Sequence, residues 1–363
     1  MGPGWNRRAR QSLSARFVVP VALLVCGAVG ACAGGTSGRG AAAVASEAYD
    51  AERGEVVLGL APVDLPANTG HHAVDQPGAR TTAVPLSGWL QGYTVELVDA
   101  TGNPVPREVL HHVNILRPDR RELFSSIMQR VGAAGSETAD VKIPRLLGYP
   151  VEAGDSLIVI AEFHNPTPVA YQGVQLRVRM PHVPPGDWPK PFRIYPFYVD
   201  VTPPAAPHGF DLPLGRSEVS WEGTPAVSGR ILGMGGHLHT YAVELRLEDV
   251  TEGKVIWRSE PIRDENGDVI GMPQSKLWWR LGLPVDRSHT YRLVAVYDNT
   301  SGRAIPDGGM GALGGIFVPS GDADWPRVDR ADETYLEDYT RRVANRGGTR
   351  DGAGAAHGNG HSH

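Results

Sequence analysis

Two histidines one residue apart, His237 and His239, stand between a glycine run and an alternating apolar stretch in RILGMGGHLHTYAVELRLED. Side chains at i and i+2 of a β-strand leave the same face, so this spacing lets two imidazoles converge on one point. A second pair, His111 and His112 in VLHHVNIL, is adjacent. Neighbouring strand residues face opposite ways, so these two can share an ion only where the strand is bulged or the ion sits at its edge. His164, in IAEFHN, offers a third nitrogen to that pair. For the HxH pair the third donor is either the carboxylate of Asp298 or the thioether of Met310, which lies in DGGMGALGG where glycines let the backbone approach an ion. Thioether sulfur prefers copper, Cu(I) above all, to zinc or iron. Two histidines and a methionine beside three histidines therefore point to copper, one ion at each place.

The elements that must carry these donors read as strands. From about residue 53 to 320, short apolar alternations such as GYTVELVDATG, SLIVIAEFHN, GVQLRVRM and TYRLVAVYDN recur between Gly, Pro, Asn and Asp clusters. With 30 prolines and little helical periodicity, this pattern predicts an all-β chain of antiparallel β-sandwiches. The stretch SLIVIAEFHNPTPVAYQGVQLRVRM resembles TYRLVAVYDNTSGRAIPDGGMGALGGIFV, and each follows a histidine pair by about fifty to sixty residues, so the halves read as an internal repeat of one domain. The predicted boundaries are 53–205 and 206–330, with VTPPAAPHGFDLP (201–213) as the hinge. Residues 331–346 read as a short C-terminal helix, followed to residue 363 by a disordered tail.

The ordered series HH, H, HxH, M resembles the copper type II, ascorbate-dependent monooxygenases, the family of peptidylglycine α-hydroxylating monooxygenase and dopamine β-hydroxylase. The similarity spans residues 53 to 320. It implies two tandem jelly-roll-like sandwiches facing each other across a solvent-filled cleft. It further implies an electron-transfer copper on His111, His112 and His164, and a catalytic, O2-binding copper on His237, His239 and Met310. The activity implied is hydroxylation of a substrate C–H bond, with ascorbate or another one-electron donor as reductant. Two departures bear on substrate. Gly235 stands where peptidylglycine enzymes have a basic residue that grips a carboxylate, and Ala312, Leu313 and Gly314 are small or apolar where those enzymes have polar partners. The expected substrate is therefore a small or medium-sized organic molecule other than a peptidylglycine. The disulfides of the animal enzymes are missing too, which leaves burial of aromatic residues such as Trp278, Trp279 and Phe317 to hold the sandwiches.

The N-terminus reads as an export signal. Arg7, Arg8, Arg10 and Arg16 precede the apolar run 17–31, too short to span a bilayer, which ends VGAC. Small residues before Cys32 resemble a bacterial lipobox, so residues 1–31 are expected to be removed and Cys32 lipidated. A Gly, Ala and Ser-rich tether, 32–52, follows. The chain is expected to be exported and held at the bacterial cell envelope by that lipid alone. With only two cysteines, both in the N-terminal segment, the folded body has no thiol, so disulfides and thiolate metal sites are excluded. A formal net charge of −5, which loss of the signal arginines makes more negative, argues against nucleic-acid binding.

The other donors have plainer readings. His71 and His72 read as loop residues, His182, His208 and His289 as surface histidines, and His357, His361 and His363 as a tail too flexible to preorganise a site. Met128, Met180, Met234 and Met272 read as packing residues. The rival to an oxygenase is a non-catalytic copper-binding lipoprotein, a scavenger or chaperone at the cell surface.

Overall fold

The structure is a computed structural model, and it describes residues 48–136, 140–278, 281–321 and 324–346. The predicted signal, Cys32, most of the predicted tether, Trp279 and the histidines at 357, 361 and 363 lie outside the described residues. The protein is all-β, built as two jelly-roll-like antiparallel sandwiches with one short C-terminal helix.

The first half carries β1 (Glu55–Gly59), β2 (Arg80–Ala83), β3 (Gly92–Val98), β4 (Leu110–Arg121), β5 (Met128–Gly135), β6 (Ser156–Phe163) and β7 (Tyr171–Val183). The second carries β8 (Tyr195–Asp200), β9 (Gly215–Gly223), β10 (Gly229–Leu238), β11 (Ala242–Asp249), β12 (Lys254–Ser259), β13 (Tyr291–Asn299) and β14 (Gly311–Pro319). Period-2 patterning sets which face is buried. In GVQLRVRM, Val174, Leu176, Val178 and Met180 all point into the core while the residues between them stay partly exposed.

The repeat is structural. The four-stranded sheet β2–β6–β4–β5 of the first half recurs as β9–β13–β11–β12 in the second. Opposite them, β7 pairs with β1 and β3, and β14 pairs with β8 and β10. Where β6 and β13 end, a buried asparagine ties off the turn in the same way. The side-chain carbonyl of Asn165 accepts from the N–H and hydroxyl of Thr167, and that of Asn299 from the N–H and hydroxyl of Ser301. Each amide nitrogen then donates to carbonyls of a neighbouring segment: Leu65 for Asn165, Leu212 and Pro213 for Asn299.

The outer faces of the two matching sheets differ. On β6, Leu157, Val159 and Ala161 face the main core, while Ile158 and Ile160 join Leu116 and Met128 in a second apolar cluster. That cluster is covered by Tyr335 and Val343, from the helix α1 (Glu333–Arg342) and the residue after it. The unbroken apolar run SLIVIA thus reflects a strand buried on both faces. Asp332 caps α1, accepting from the Tyr335 N–H at 3.1 Å, which fixes the start of the helix predicted over 331–346. On β13 the outward Val294 and Val296 are covered by long charged side chains: Arg246 reaches Glu218, Glu244 and Glu248 from 2.7 to 2.9 Å.

No strand of one half pairs with a strand of the other among the described residues, yet one apolar core runs through both. Phe124 stands edge-on to both Phe197 and Tyr291 across the junction, and Tyr195 stacks on Trp325 at 4.4 Å. The change of sheet comes at Tyr195, ahead of the predicted boundary at 205/206, because β8 pairs with β14. The Pro-rich stretch after β8 is accordingly a loop of the second half. Its His208 is partly buried and doubly bonded: Nδ1–H donates to Asp200 at 2.6 Å, and Nε2 accepts from Arg342 of α1 at 2.7 Å. Burial holds the His208 pKa below the ordinary imidazole value, in keeping with a neutral ring that accepts from an arginine.

Three further expectations change. Trp278 is 43 % exposed and is not core, while Phe317 is fully buried. The predicted tether to residue 52 overlaps a short strand, Tyr49–Asp50, preceded by a buried Ala48. His182 is buried, edge-on to Tyr49.

Candidate metal centres

The adjacent histidines stand at the start of β4, and the strand is bulged at that point. On β6, Glu162 pairs with His112 and Phe163 with Leu110, which leaves His111 as the extra residue. A bulge turns its residue out of the alternation. The two rings lie 5.0 Å apart, centre to centre, and the His164 ring lies 5.4 Å from that of His111. His164 directly follows β6; its Nε2 lies 2.6 Å from the carbonyl of Glu108, while its own N–H donates to Val109. With Nε2–H donating to a carbonyl, the lone pair is on Nδ1, the arrangement by which a backbone acceptor orients a metal-binding imidazole. The strand end is fixed further by Gln76, whose amide exchanges hydrogen bonds with both backbone groups of Phe163. The first three histidines are thus gathered in one corner. A fourth group joins them: Glu162 Oε2 lies 3.5 Å from His112 Nε2, and ligand atoms of His111, His112 and Glu162 lie within 4.8 Å of one another.

In the second half, His237 and His239 close β10, and their rings are 5.2 Å apart. The ladder to β14 pairs His237 with Ala312 and Leu238 with Gly311, so one step further His239 faces Met310. Tyr297, from β13 in the opposing sheet, locks these two residues together. Its hydroxyl accepts from the N–H of His239 at 3.0 Å and of Met310 at 3.1 Å, and donates to the carbonyl of Met310. Burial raises the phenol pKa, so the proton needed for that last bond stays in place. Phe210 packs edge-on against the Tyr297 ring. Asp298, the other third donor considered, is exposed at the position matching His164.

The glycines around Met310 have a packing cause. A Cβ on Gly309 would collide with the ring of Phe210, and one on Gly311 would come within 2.7 Å of the Ala295 methyl. They let the sheets close over Tyr297, where the sequence alone read them as room for an ion. Gly235, by contrast, has space beside it: an added Cβ would meet only Gln274 at 3.6 Å.

In one corner, ligand atoms of two imidazoles and a carboxylate lie together with the His164 ring beside them, and in the other sandwich two imidazoles stand beside the backbone of a methionine; imidazole and carboxylate donors suit a borderline divalent ion such as Cu(II) or Zn(II). Sequence reasoning missed Glu162 and Tyr297. Glu162 was within reach of the period-2 logic used for HxH, since it stands two before His164, near the end of β6. Tyr297 carried no signal, being one more apolar residue in LVAVY.

No family model and no curated protein matches this chain. Among solved structures it is similar to the major capsid protein P2 of bacteriophage PM2, at 9 % identity over 74 % of this chain and 100 % of that one, with a TM-score of 0.32. It is similar also to PNGase F, a glycosylasparaginase from Flavobacterium meningosepticum, at 10 % identity over 74 % and 97 %, with a TM-score of 0.38. Likeness at this level carries nothing about chemistry.

Proposed function

We propose that the protein is a copper-dependent monooxygenase that hydroxylates a C–H bond of a small organic substrate, using O2 and ascorbate or another one-electron donor. The balance is R–H, O2, two electrons and two protons giving R–OH and water; coppers held by His111, His112 and His164 and by His237, His239 and Met310 would store the two electrons delivered by the reductant. The protein's own part is to hold the donors. At the first centre the Glu108 carbonyl fixes His164 with Nδ1 available, and the bulge turns His111 toward His112. At the second, Tyr297 sets the distance between the backbones that carry a nitrogen and a sulfur donor. Gly235, Ala312 and Gly314 put no charged side chain at the three positions where a carboxylate clamp would stand by the resemblance, which favours a substrate other than one gripped there by its carboxylate.

The observation that supports this reading above the others is the phenol bridge between His239 and Met310. It joins the two residues, seventy-one apart in the chain, whose combination of imidazole and thioether favours a cuprous ion. The test is oxygen consumption that requires both copper and ascorbate and rises with candidate substrates. Met310→Ile is expected to abolish turnover while the first centre keeps its copper. Retained turnover in that variant contradicts the proposal. Two bound coppers with neither product nor hydrogen peroxide favour the scavenger instead. Export and lipid attachment belong to the same proposal, and Cys32→Ser is expected to move the protein from the membrane to the soluble fraction.

A further inference from the structure

We propose that Glu162 is a ligand of the first centre, which makes it a nitrogen and carboxylate site for a divalent ion. The inference stands on the first sandwich alone and holds whether or not the protein is an oxygenase.

Three observations carry it. Glu162 and His112 are cross-strand partners on β6 and β4, so their side chains leave the sheet on the same face. Their ligand atoms are 3.5 Å apart. That is long for a charge-assisted hydrogen bond, for which N to O is about 2.7–2.9 Å. It matches instead the edge of a tetrahedron of ligands, about 3.4 Å when each donor sits roughly 2.1 Å from the ion. Finally, the strand is bulged at the residue that must turn to complete the group, His111, and the three donor atoms fall within 4.8 Å of one another. Contraction of the widest separation by up to about 1.4 Å brings them onto one ion of that size. His164 stands beside His111, and its Nδ1 is the donor for a fourth position.

The carboxylate changes what the site prefers. It brings a negative charge and a hard oxygen, both of which favour Cu(II) or Zn(II) over Cu(I). An all-imidazole site lacks that bias. The two centres are then tuned in opposite directions: a carboxylate holds the first toward the divalent state, and a thioether is available to hold the second toward the cuprous state.

The experiment uses the full chain, with His237 and His239 both changed to Ala so that only the first centre reports. Metal-free protein is titrated with Zn(II), with Cu(II), and with Cu(I) under anaerobic conditions against a chromophoric competitor. Glu162→Gln in this background is expected to weaken Zn(II) and Cu(II) binding by about tenfold or more, to leave Cu(I) affinity nearly unchanged, and to alter the Cu(II) EPR spectrum. Glu162→Asp is expected to recover part of the divalent affinity, which a merely structural role for the carboxylate does not predict. Thermal melts of the metal-free variants separate loss of a ligand from loss of fold. Equal Zn(II) and Cu(II) affinities with and without the carboxylate, in folded protein, overturn the inference while leaving the oxygenase reading untouched. Absence of turnover in the parent, with this pattern of affinities intact, does the reverse.

Discussion

At the scale of single residues, the proposed second centre would depend on a side chain that itself donates nothing to a metal. Removing the Tyr297 hydroxyl takes this partner from the N–H groups of His239 and Met310 and from the Met310 carbonyl in a half-buried corner. Tyr297→Phe is expected to cost about 1–3 kcal/mol in urea melts. It is also expected to weaken the copper–sulfur signal in X-ray absorption of the reduced protein while the first centre's copper stays bound. An unchanged sulfur signal argues against a positioning role. Glu122 makes a different prediction. Its carboxylate is fully buried at the junction of the halves and accepts from the backbone N–H groups of Leu123, Arg130 and Tyr198. Burial pushes its pKa up to about 7, against the pull of those three donors and the Arg130 guanidinium. The unfolded chain releases this proton near 4.5 and the folded chain near 7, so between those values folding retains a proton and stability falls as pH rises. The parent is expected to lose up to about 3 kcal/mol from pH 5 to pH 8 relative to Glu122→Gln, the difference being read from paired urea melts. The approach of the His237 and His239 rings was legible because an i, i+2 spacing puts both on one face of any strand, whereas that of His111 and His112 needed the bulge, which their spacing does not state. The roles of Glu122 and Tyr297 were not legible, because they rest on partners distant in the chain: Arg130 and Tyr198, 8 and 76 residues from the acid, and Met310 and His239, 13 and 58 residues from the phenol.

At the scale of elements, alternation disclosed the strands and the matching halves, and the asparagine turns show why the match is real. What alternation left open is what covers each outer face. The first half buries Ile158 and Ile160 under α1, while the second shields Val294 and Val296 with Arg246 and its carboxylate partners. Arg246→Ala removes both the stem that covers Val294 and the cation shared by three acids. A loss of about 1–2 kcal/mol is expected, smaller in 1 M salt because the exposed repulsion among Glu218, Glu244 and Glu248 is then screened. Arg246→Met, which keeps the stem, is expected to recover the part that salt does not. Urea melts of both variants at two ionic strengths check this; equal losses in Ala and Met leave burial of Val294 without a role. The sequence contained α1 but not its seat, since an amphipathic segment does not state which sheet its apolar side will meet.

At the scale of the molecule, the two sandwiches are distinct in strand pairing but joined by a continuous core, by Phe124 between Phe197 and Tyr291, and by α1. The predicted Pro-rich hinge is instead a loop whose His208 links Asp200 to Arg342 of that helix. Ending the chain after Arg330 is expected to lower the melting temperature and to increase binding of a hydrophobic dye, because Leu116, Ile158 and Ile160 lose their cover. An unchanged melt assigns α1 no part in stability. The placement of α1 also sets an order of events during biosynthesis. A nascent polypeptide leaves the ribosome from its N-terminus, so the strand at 156–163 emerges long before the helix that must shield it. The amino-terminal sandwich therefore reaches its final form only after residues 333–343 have been made, and until then it presents an uncovered apolar sheet to whatever the growing chain meets.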